Sequence, residues 1–271
     1  MLPIVITDVD QNMTKIYAVA NQKGGVGKTT SVINLAAILG SRGLRTLVVD
    51  VDPQANATSG LGFDKNALNQ STYDLLLEDS PIDSVIVSNP QFQLDLLPSS
   101  PALAGAEVEL VNVIGREYRL QQALKAINGQ YDYIFIDCPP SLGLLTVNGL
   151  AAAAHGIIIP VQCEYLALEG LSQLVQTIEL VQQYVNPHLV IKGLIMTMYD
   201  SRTNLSRQVV NEVRKFFKEK VFRTIVPRNI RLSEAPSFGL PINIYAPKSA
   251  GAIAYQLLAT EILKSDQSME G

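Results

Sequence analysis

Short apolar runs alternate with longer amphipathic segments along almost the whole chain. Seven runs are rich in β-branched and aromatic residues, which predicts strands at 16–20, 45–50, 93–97, 132–137, 156–161, 190–197 and 222–226. Between them, apolar positions recur at helical spacing, which predicts helices near 30–42, 102–113, 116–127, 142–153, 168–184, 204–218 and 249–264. Alternating strands and helices form right-handed βαβ units. The pattern therefore predicts an α/β fold with a single doubly wound, mostly parallel sheet and helices on both faces.

This alternation is continuous and contains no linker, repeat or low-complexity segment. It predicts one domain over residues 15–266, with a C-terminal tail at 267–271. Residues 1–14 are predicted to be a disordered N-terminal extension, because the stretch that begins at Met13 would make a natural start. The least regular region, Leu61–Ser84, is a candidate insertion over the functional site.

A glycine-rich loop, NQKGGVGKTT at Asn21–Thr30, joins the first strand to the first helix. It matches the second half of the phosphate-loop pattern, although the first glycine of that pattern falls on Gln22. Glycines let the backbone turn so that its N–H groups face a phosphate, while Lys28 can reach the β- and γ-phosphates and Thr29 can offer its hydroxyl to Mg²⁺. We therefore predict an ATP and Mg²⁺ site formed by Lys23, Gly24, Gly25, Val26, Gly27, Lys28, Thr29 and Thr30.

Carboxylates end two of the predicted strands. TLVVDVDPQ provides Asp50 and Asp52, and YIFIDCPPS provides Asp137. In open α/β sheets, ligands bind beyond the carboxyl ends of the strands, and an apolar strand that ends in Asp beside a phosphate loop can hold Mg²⁺. We predict that Thr29, Asp50 and Asp137 form the metal site. The alternative is that one of the aspartates merely caps the loop that follows it.

Composition favours a reduced, cytoplasmic protein. Apolar residues make up 47% of the chain, enough for a large core, and the two cysteines show no metal-binding spacing. No apolar run approaches the length that spans a bilayer, so no membrane association is predicted.

The charge is unevenly distributed along the chain. The formal net charge is −4, yet Lys192–Arg231 holds ten Lys or Arg residues against three acidic ones. Within the helix near 204–218, Arg207, Arg214 and Lys218 are expected to share an outer face opposite a buried stripe of Leu205, Val209, Val213, Phe216 and Phe217. Such a concentration suggests an anion-binding face, and a solvated amphipathic helix is the alternative.

The loop KGGVGKTT closely resembles the deviant Walker A motif of the ParA/MinD superfamily. The resemblance runs from about Lys15 through nearly the whole chain, and it includes DVDPQANATSGLG, DCPPSLG, AGAEVEL, PVQCEYLALEGL, TMYDSRTNLSRQV and IVPRNIRLSEAPSFG. The chain looks like a chromosomal ParA of the Soj subgroup.

That resemblance implies an ATPase switch with weak intrinsic activity. It implies that two subunits close into a homodimer around ATP and that Lys23 reaches the partner subunit's nucleotide. It also implies that Asp52 positions the attacking water and that Pro227 and Asn229 contact the adenine. The implied partners are double-stranded DNA, bound without sequence preference, and a ParB-like (Spo0J-like) activator. Localisation at the nucleoid would follow.

The DNA contacts implied by the resemblance lie in the basic span. Arg202 and Arg231 match the most characteristic positions, and Arg207, Arg214 and Lys218 are further candidates. Neither a recognition helix nor an aromatic stacking motif is present in the sequence, so reading of bases is not expected.

Four other functions share parts of this pattern. A MinD-like membrane ATPase would need a basic amphipathic C-terminal helix, whereas this chain ends in ATEILKSDQSMEG. A nitrogenase-type iron protein would need two cysteines that meet at the dimer axis, and the placement of Cys138 and Cys163 does not match. A scaffold would not need Asp52 and Asp137 beside the loop. A relative that positions another cargo, such as a protein organelle or cluster, stays open.

Overall fold

The computed structural model describes residues 14–164 and 167–268. Most of the predicted N-terminal extension (1–13) and the last three residues of the predicted tail lie outside the described residues. Thr14, in contrast, is buried, and its hydroxyl accepts a hydrogen bond from the Gly129 N–H at 2.9 Å. The ordered fold therefore includes the residue just before the first strand.

The centre of the described fold is an eight-stranded sheet. Its strands are β1 Lys15–Val19, β2 Thr46–Asp50, β3 Val87–Asn89, β4 Leu94–Leu97, β5 Tyr133–Asp137, β6 Ile157–Gln162, β7 Ile191–Tyr199 and β8 Val221–Pro227. They lie in the order β3-β4-β2-β5-β1-β6-β7-β8. All neighbouring pairs are parallel except β3 and β4. The predicted doubly wound, mostly parallel sheet is confirmed.

Helices connect these strands and cover both faces. They are α1 Lys28–Gly40, α2 Asn56–Gly60, α3 Thr72–Leu77, α4 Ile82–Val85, α5 Leu103–Glu109, α6 Arg119–Lys125, α7 Leu144–Ala152, α8 Ala167–Tyr184, α9 Asn204–Phe217, α10 Ile230–Glu234, α11 Ile242–Tyr245 and α12 Ala250–Gln267. The seven predicted helices correspond to α1, α5, α6, α7, α8, α9 and α12. The five additional helices have four to six residues each, too short for their periodicity to be read from the sequence.

Both faces of the sheet are buried, as a parallel sheet between two helix layers requires. Successive residues of a strand point to opposite faces, so Val48 and Phe135 belong to one apolar cluster while Val49 and Ile136 belong to the other. This two-sided burial explains why the strands appear in the sequence as continuous apolar runs rather than as alternating ones.

Two local expectations need correction. Strand β3 is absent from the predicted set because it has three residues at the sheet edge and carries no buried side chain. The region Leu61–Ser84 is not a detached insertion, because it contains α3 and Leu75 and Leu76 are buried in the core.

The predicted buried stripe of the basic helix is also partly wrong. In α9, Val209, Val210 and Val213 are the buried valines, whereas Leu205 is 41% and Phe216 is 70% exposed. Phe217 packs against the core beside these valines, so only Leu205 and Phe216 of the predicted stripe lie outside it.

A buried polar cluster holds α12 against the sheet. The Asp266 carboxylate forms an ion pair with Lys192, and both side chains are 5% exposed. The hydroxyls of Tyr17 and Tyr133 donate to the same carboxylate at 2.5 and 2.8 Å. Lys192, the first residue of the basic span, is therefore a core residue and does not belong to a basic surface.

Candidate nucleotide-binding site

The predicted loop and carboxylates meet at one edge of the sheet. β5 lies between β1 and β2, and Asp137 is in register with Val19 on one side and with Asp50 on the other. Neighbouring strands are about 5 Å apart, so the residues that follow these three strand ends must be neighbours. The structure thus brings together Asp50, Asp137 and the loop that follows β1.

The loop has the backbone conformation that its glycines permit. Gly25 and Gly27 have φ of 73° and 93°, in the left-handed region. Gly27 is the N-cap of α1, so the N-terminus of a 13-residue helix opens into the loop. The Thr197 hydroxyl of β7 donates to the Val26 carbonyl at 2.8 Å and fixes the turn from the far side. A glycine-rich turn that leads into a helix N-terminus favours bound phosphate.

Lys28 lies inside this loop and is 6% exposed. Its Nζ donates to the Lys23 carbonyl at 3.3 Å. Burial lowers the pKa of Lys28, and the nearby Asp137, Cys138 and Asp52 oppose that shift. A cation held in a desolvated loop with one weak hydrogen bond can exchange that bond for phosphate oxygens.

Thr29 and Asp137 are joined directly. The Thr29 hydroxyl donates to one Asp137 carboxylate oxygen at 2.7 Å, while the other oxygen is buried and has no hydrogen-bond partner among the described residues. Burial raises the pKa of Asp137 well above its usual value, Asp50 adds to the rise, and Thr29 and Lys28 oppose it. A hydroxyl and a carboxylate with a spare oxygen suit Mg²⁺, which usually completes its shell with water and substrate phosphates.

No cluster of three His, Cys, Asp or Glu side chains that could hold a metal occurs within the described part of the chain.

Asp50 has a different position from the other two predicted metal ligands. One of its carboxylate oxygens accepts from the Thr58 N–H and hydroxyl at 2.9 and 2.8 Å, and the other accepts from the Asp52 N–H at 3.1 Å. Burial raises its pKa to about 6, against the lowering effect of the Thr58 hydrogen bonds. Asp50 therefore ties the loop at 52–58 to the sheet and adds negative charge behind Asp137.

Asp52 begins that loop and is 5% exposed. Its Oδ1 accepts from the Gln54 N–H at 2.9 Å, and its carbonyl accepts from the Ser99 hydroxyl at 2.7 Å. The Ser99 N–H donates to the Thr58 hydroxyl at 2.9 Å. Thr58 and Ser99 were not identified from the sequence, since a hydroxyl that supports a loop leaves no periodic signal.

The Lys23 ammonium does not join Lys28 and Thr29. It lies 3.8 Å from the carboxylate of Glu164, which follows β6, and its side chain is 35% exposed. The Lys23 N–H donates to Asn21 Oδ1 at 3.0 Å. The loop thus has one buried lysine directed inward and one half-exposed lysine at its rim.

The predicted adenine contacts lie at the end of β8. Pro227 is the last residue of the strand, and Asn229 is the N-cap of α10, where its Oδ1 accepts from the Arg231 N–H at 2.9 Å. The Arg228 N–H between them donates to the Tyr199 carbonyl at 2.9 Å. Asn229 Oδ1 is thus already engaged within the protein, and the contact of Pro227 and Asn229 with adenine stays a prediction.

The predicted DNA-binding residues are all exposed. Arg202 pairs with Asp200 and Arg231 with Glu234, at 2.7 and 2.8 Å. Arg207 and Arg214 donate instead to the backbone carbonyls of Ser201 and Arg223. The charges of Arg207, Arg214 and Lys218 on α9 and its end are thus less compensated than those of Arg202 and Arg231.

Comparison with known proteins identifies the family. An AAA domain model matches residues 14–191. The chain is 55% identical over 250 residues to the sporulation initiation inhibitor protein Soj of Bacillus subtilis, covering 92% of this chain and 98% of that protein. It is 52% identical over 254 residues to the chromosome-partitioning ATPase Soj of Treponema pallidum, with 94% and 99% covered. The chain belongs to the ParA/Soj family of chromosome-partitioning proteins.

A solved structure agrees with this site. The chain resembles a structure named as cobyrinic acid a,c-diamide synthase of Mycobacterium smegmatis with bound ADP and magnesium, at 43% identity and a TM-score of 0.84, with 94% and 96% of the two chains covered. The resemblance to the ParA/Soj family is confirmed, and the predicted cofactors, ATP and Mg²⁺, agree with the nucleotide and metal in that relative. No helix within the described ranges is long and apolar enough to cross a membrane.

Proposed function

We propose that this chain is an ATP-dependent dimerising switch that binds DNA without sequence preference and drives partitioning of a chromosome or plasmid. ATP and Mg²⁺ bind at the loop between β1 and α1, with Lys28 on the phosphates and with Thr29 and Asp137 at the metal. The proposed location is the cytoplasm, on the nucleoid.

The observation that carries this proposal is the different placement of the two lysines of the loop. Lys28 is buried among Asp137, Cys138 and Asp52, whereas the Lys23 side chain leaves the loop and reaches the rim. A second cation placed at the rim can neutralise phosphate charge in a facing subunit, as an arginine finger does. The arrangement supports a homodimer with ATP enclosed between two copies.

Hydrolysis is proposed to be slow without a partner. Asp52 is the carboxylate best placed to position water, because it begins the loop that Asp50 and Ser99 hold at the site. The Lys28, Thr29, Asp137 and Asp52 group provides charge and positioning but no histidine that could serve as a general base near neutral pH. A ParB-like activator would stimulate turnover by improving the positioning of these groups.

DNA binding is assigned to the exposed basic residues between Arg202 and Arg231. For Arg202 and Arg231, a phosphate must displace an acidic neighbour, so each gains little from one contact. For Arg207 and Arg214, a phosphate replaces only a hydrogen bond to a backbone carbonyl. A closed dimer carries two such basic faces. Once one face has bound DNA, binding of the second face to the same DNA is intramolecular.

The cargo is the open part of the proposal. An ATPase that positions a protein organelle or cluster would use the same loop, aspartates and basic face. The structure named as a diamide synthase also contains ADP and magnesium, so ATP binding alone does not separate these functions. ATP-dependent binding of DNA, together with the identity of the protein that stimulates hydrolysis, does.

The experiment compares Lys23→Ala with Asp52→Ala in ATP. Lys23→Ala should bind ATP as a monomer, since its phosphate loop is intact and only the cation for the partner subunit is removed. Asp52→Ala should accumulate as an ATP dimer with turnover reduced by about 100-fold or more, the range expected when a positioned acid–base group is removed. Light scattering after size exclusion and phosphate release measure the two properties. Normal hydrolysis by Lys23→Ala would refute the proposed role across the interface.

A further inference from the structure

Glu164 joins two parts of the site that are far apart in the sequence. One carboxylate oxygen lies 3.8 Å from Lys23 Nζ, and the other accepts from the Arg228 guanidinium at 3.0 Å. Lys23 belongs to the loop after β1, Glu164 follows β6, and Arg228 follows β8. The three side chains therefore span the mouth of the site over the ends of four strands, β1, β6, β7 and β8.

We propose that Glu164 is a positioning residue that holds the Lys23 ammonium within its own subunit, so that dimer closure requires Lys23 to exchange Glu164 for the phosphates of the partner subunit. This inference rests on the role across the interface that is proposed above for Lys23. The Lys23–Glu164 contact opposes dimer closure, and it breaks when two ATP-bound subunits meet.

Hydrogen bonds hold the backbone of Lys23, so the part of this residue that needs to move is its side chain. The Lys23 N–H is bound to Asn21 Oδ1, and Asn21 in turn donates to the Pro160 carbonyl at 2.7 Å. The Lys23 carbonyl accepts from Lys28. With the backbone held in this way, the direction of the Lys23 ammonium depends on which anion attracts it.

Charge and exposure set the strength of the hold. The Lys23 and Glu164 side chains are 35% and 44% exposed, and ion pairs of this kind are weak. A triphosphate carries several negative charges, whereas Glu164 carries one. The triphosphate of a facing subunit therefore attracts the Lys23 ammonium more strongly than Glu164 does. Release leaves Glu164 paired with Arg228, so no carboxylate loses all its partners. Glu164 thus disfavours dimer closure, and ATP in a facing subunit offsets this effect.

The hold itself is tested by lysine acylation of the full chain without nucleotide, read by mass spectrometry. Glu164→Gln should raise the acylation rate of Lys23 by about two- to five-fold, the range of an exposed ion pair. The exposed Lys248 provides an internal reference, and Glu234→Gln, which removes a similar pair with Arg231, is the matched control. An unchanged Lys23 rate in Glu164→Gln would overturn the proposal.

The consequence is tested by dimerisation in a non-hydrolysable ATP analogue. Formation of each dimer breaks two Lys23–Glu164 contacts, one in each subunit. Glu164→Gln should therefore dimerise at a protein concentration about four- to 25-fold lower than the wild type, which is the square of the two- to five-fold effect of one contact. A Glu164→Gln variant that dimerises less readily than the wild type would show that Glu164 supports closure, and the proposal would be wrong. A wild type that never dimerises would refute the proposed function instead, while the acylation result would still report on the hold.

Discussion

At the scale of single residues, the site depends on charges that have been removed from water. Lys28 and Asp137 are both buried, and one Asp137 oxygen has no hydrogen-bond partner within the described structure. Such groups are costly unless a ligand completes them. The opposite pKa shifts of Lys28 and Asp137, both caused mainly by burial, are ones that a bound nucleotide and a divalent cation would offset.

Replacing the buried lysine should abolish nucleotide binding. Lys28→Ala removes contacts to charged oxygens worth about 1.5–3 kcal/mol each, so we expect ATP affinity to fall by at least ~100-fold. Titration calorimetry measures this effect, and Lys248→Ala provides a matched removal of one exposed lysine. Affinity near that of the wild type in Lys28→Ala would show that the loop does not hold the phosphates.

At the scale of elements, α12 is held by side chains as well as by its apolar face. Asp266 lies near its end, yet its carboxylate is buried and has three partners: Lys192, Tyr17 and Tyr133. Removing one partner of a buried ion pair leaves the other charge without compensation. The end of the chain therefore contributes to the stability of the sheet.

Neutralising that carboxylate should destabilise the fold without changing the nucleotide site. Asp266→Asn should lower the free energy of unfolding by about 3 kcal/mol, because the buried Lys192 side chain loses its paired carboxylate. Denaturant unfolding measures the change, and Lys264→Gln, an exposed charge change on the same helix, should cost less than about 0.5 kcal/mol. Equal stability of Asp266→Asn and the wild type would show that the cluster does not hold α12.

The second element with a specific expectation is α9. Arg207→Glu should weaken DNA binding, and the slope of log affinity against log salt concentration should become shallower by about 0.9 for each phosphate that the variant no longer neutralises. ATP-dependent dimerisation should be unchanged, since Arg207 contacts the Ser201 carbonyl and no part of the phosphate loop. Lys125→Glu, an exposed charge reversal on α6, is the control for net charge. If the two variants bind DNA equally well, α9 is not the DNA surface.

At the scale of the whole molecule, the proposed function couples nucleotide to DNA through the number of subunits. A monomer is acidic overall, with a net charge of −4, and presents a single basic face. Two faces on one particle raise the effective concentration of the second contact, so a weak surface becomes a strong one without new contacts. ATP can then control DNA binding through the number of basic faces on one particle, without contacting DNA itself.

Random-sequence duplex DNA should therefore bind the ATP form much more tightly than the ADP form, by about 100-fold or more if avidity operates. Binding should fall steeply with salt and should not depend on sequence. A mobility shift over a salt series, with ADP and with ATP, measures both properties. Equal DNA binding by the ADP and ATP forms would show that the nucleotide does not control DNA binding, and the proposed switch would be wrong.

The sequence by itself determined the fold class, the position of the glycine-rich loop after the first strand, and the position of three aspartates at or just after strand ends. Each depends on local information: apolar runs of strand length, glycines that permit unusual backbone angles, and carboxylates at strand ends. Short elements such as β3 and α10 were missed, because three to five residues carry no measurable period.

Only the tertiary structure decided which charges are compensated. Lys192 and Arg207 look alike in the sequence, yet one is buried against Asp266 and the other is on the surface. Lys23 and Lys28 are five residues apart in one loop, but one meets Glu164 while the other is enclosed near Asp137. The partners lie far away along the chain, and a charge responds to what surrounds it in space. Local sequence therefore indicates which residues can ionise, and the packing of distant elements decides what each charge does.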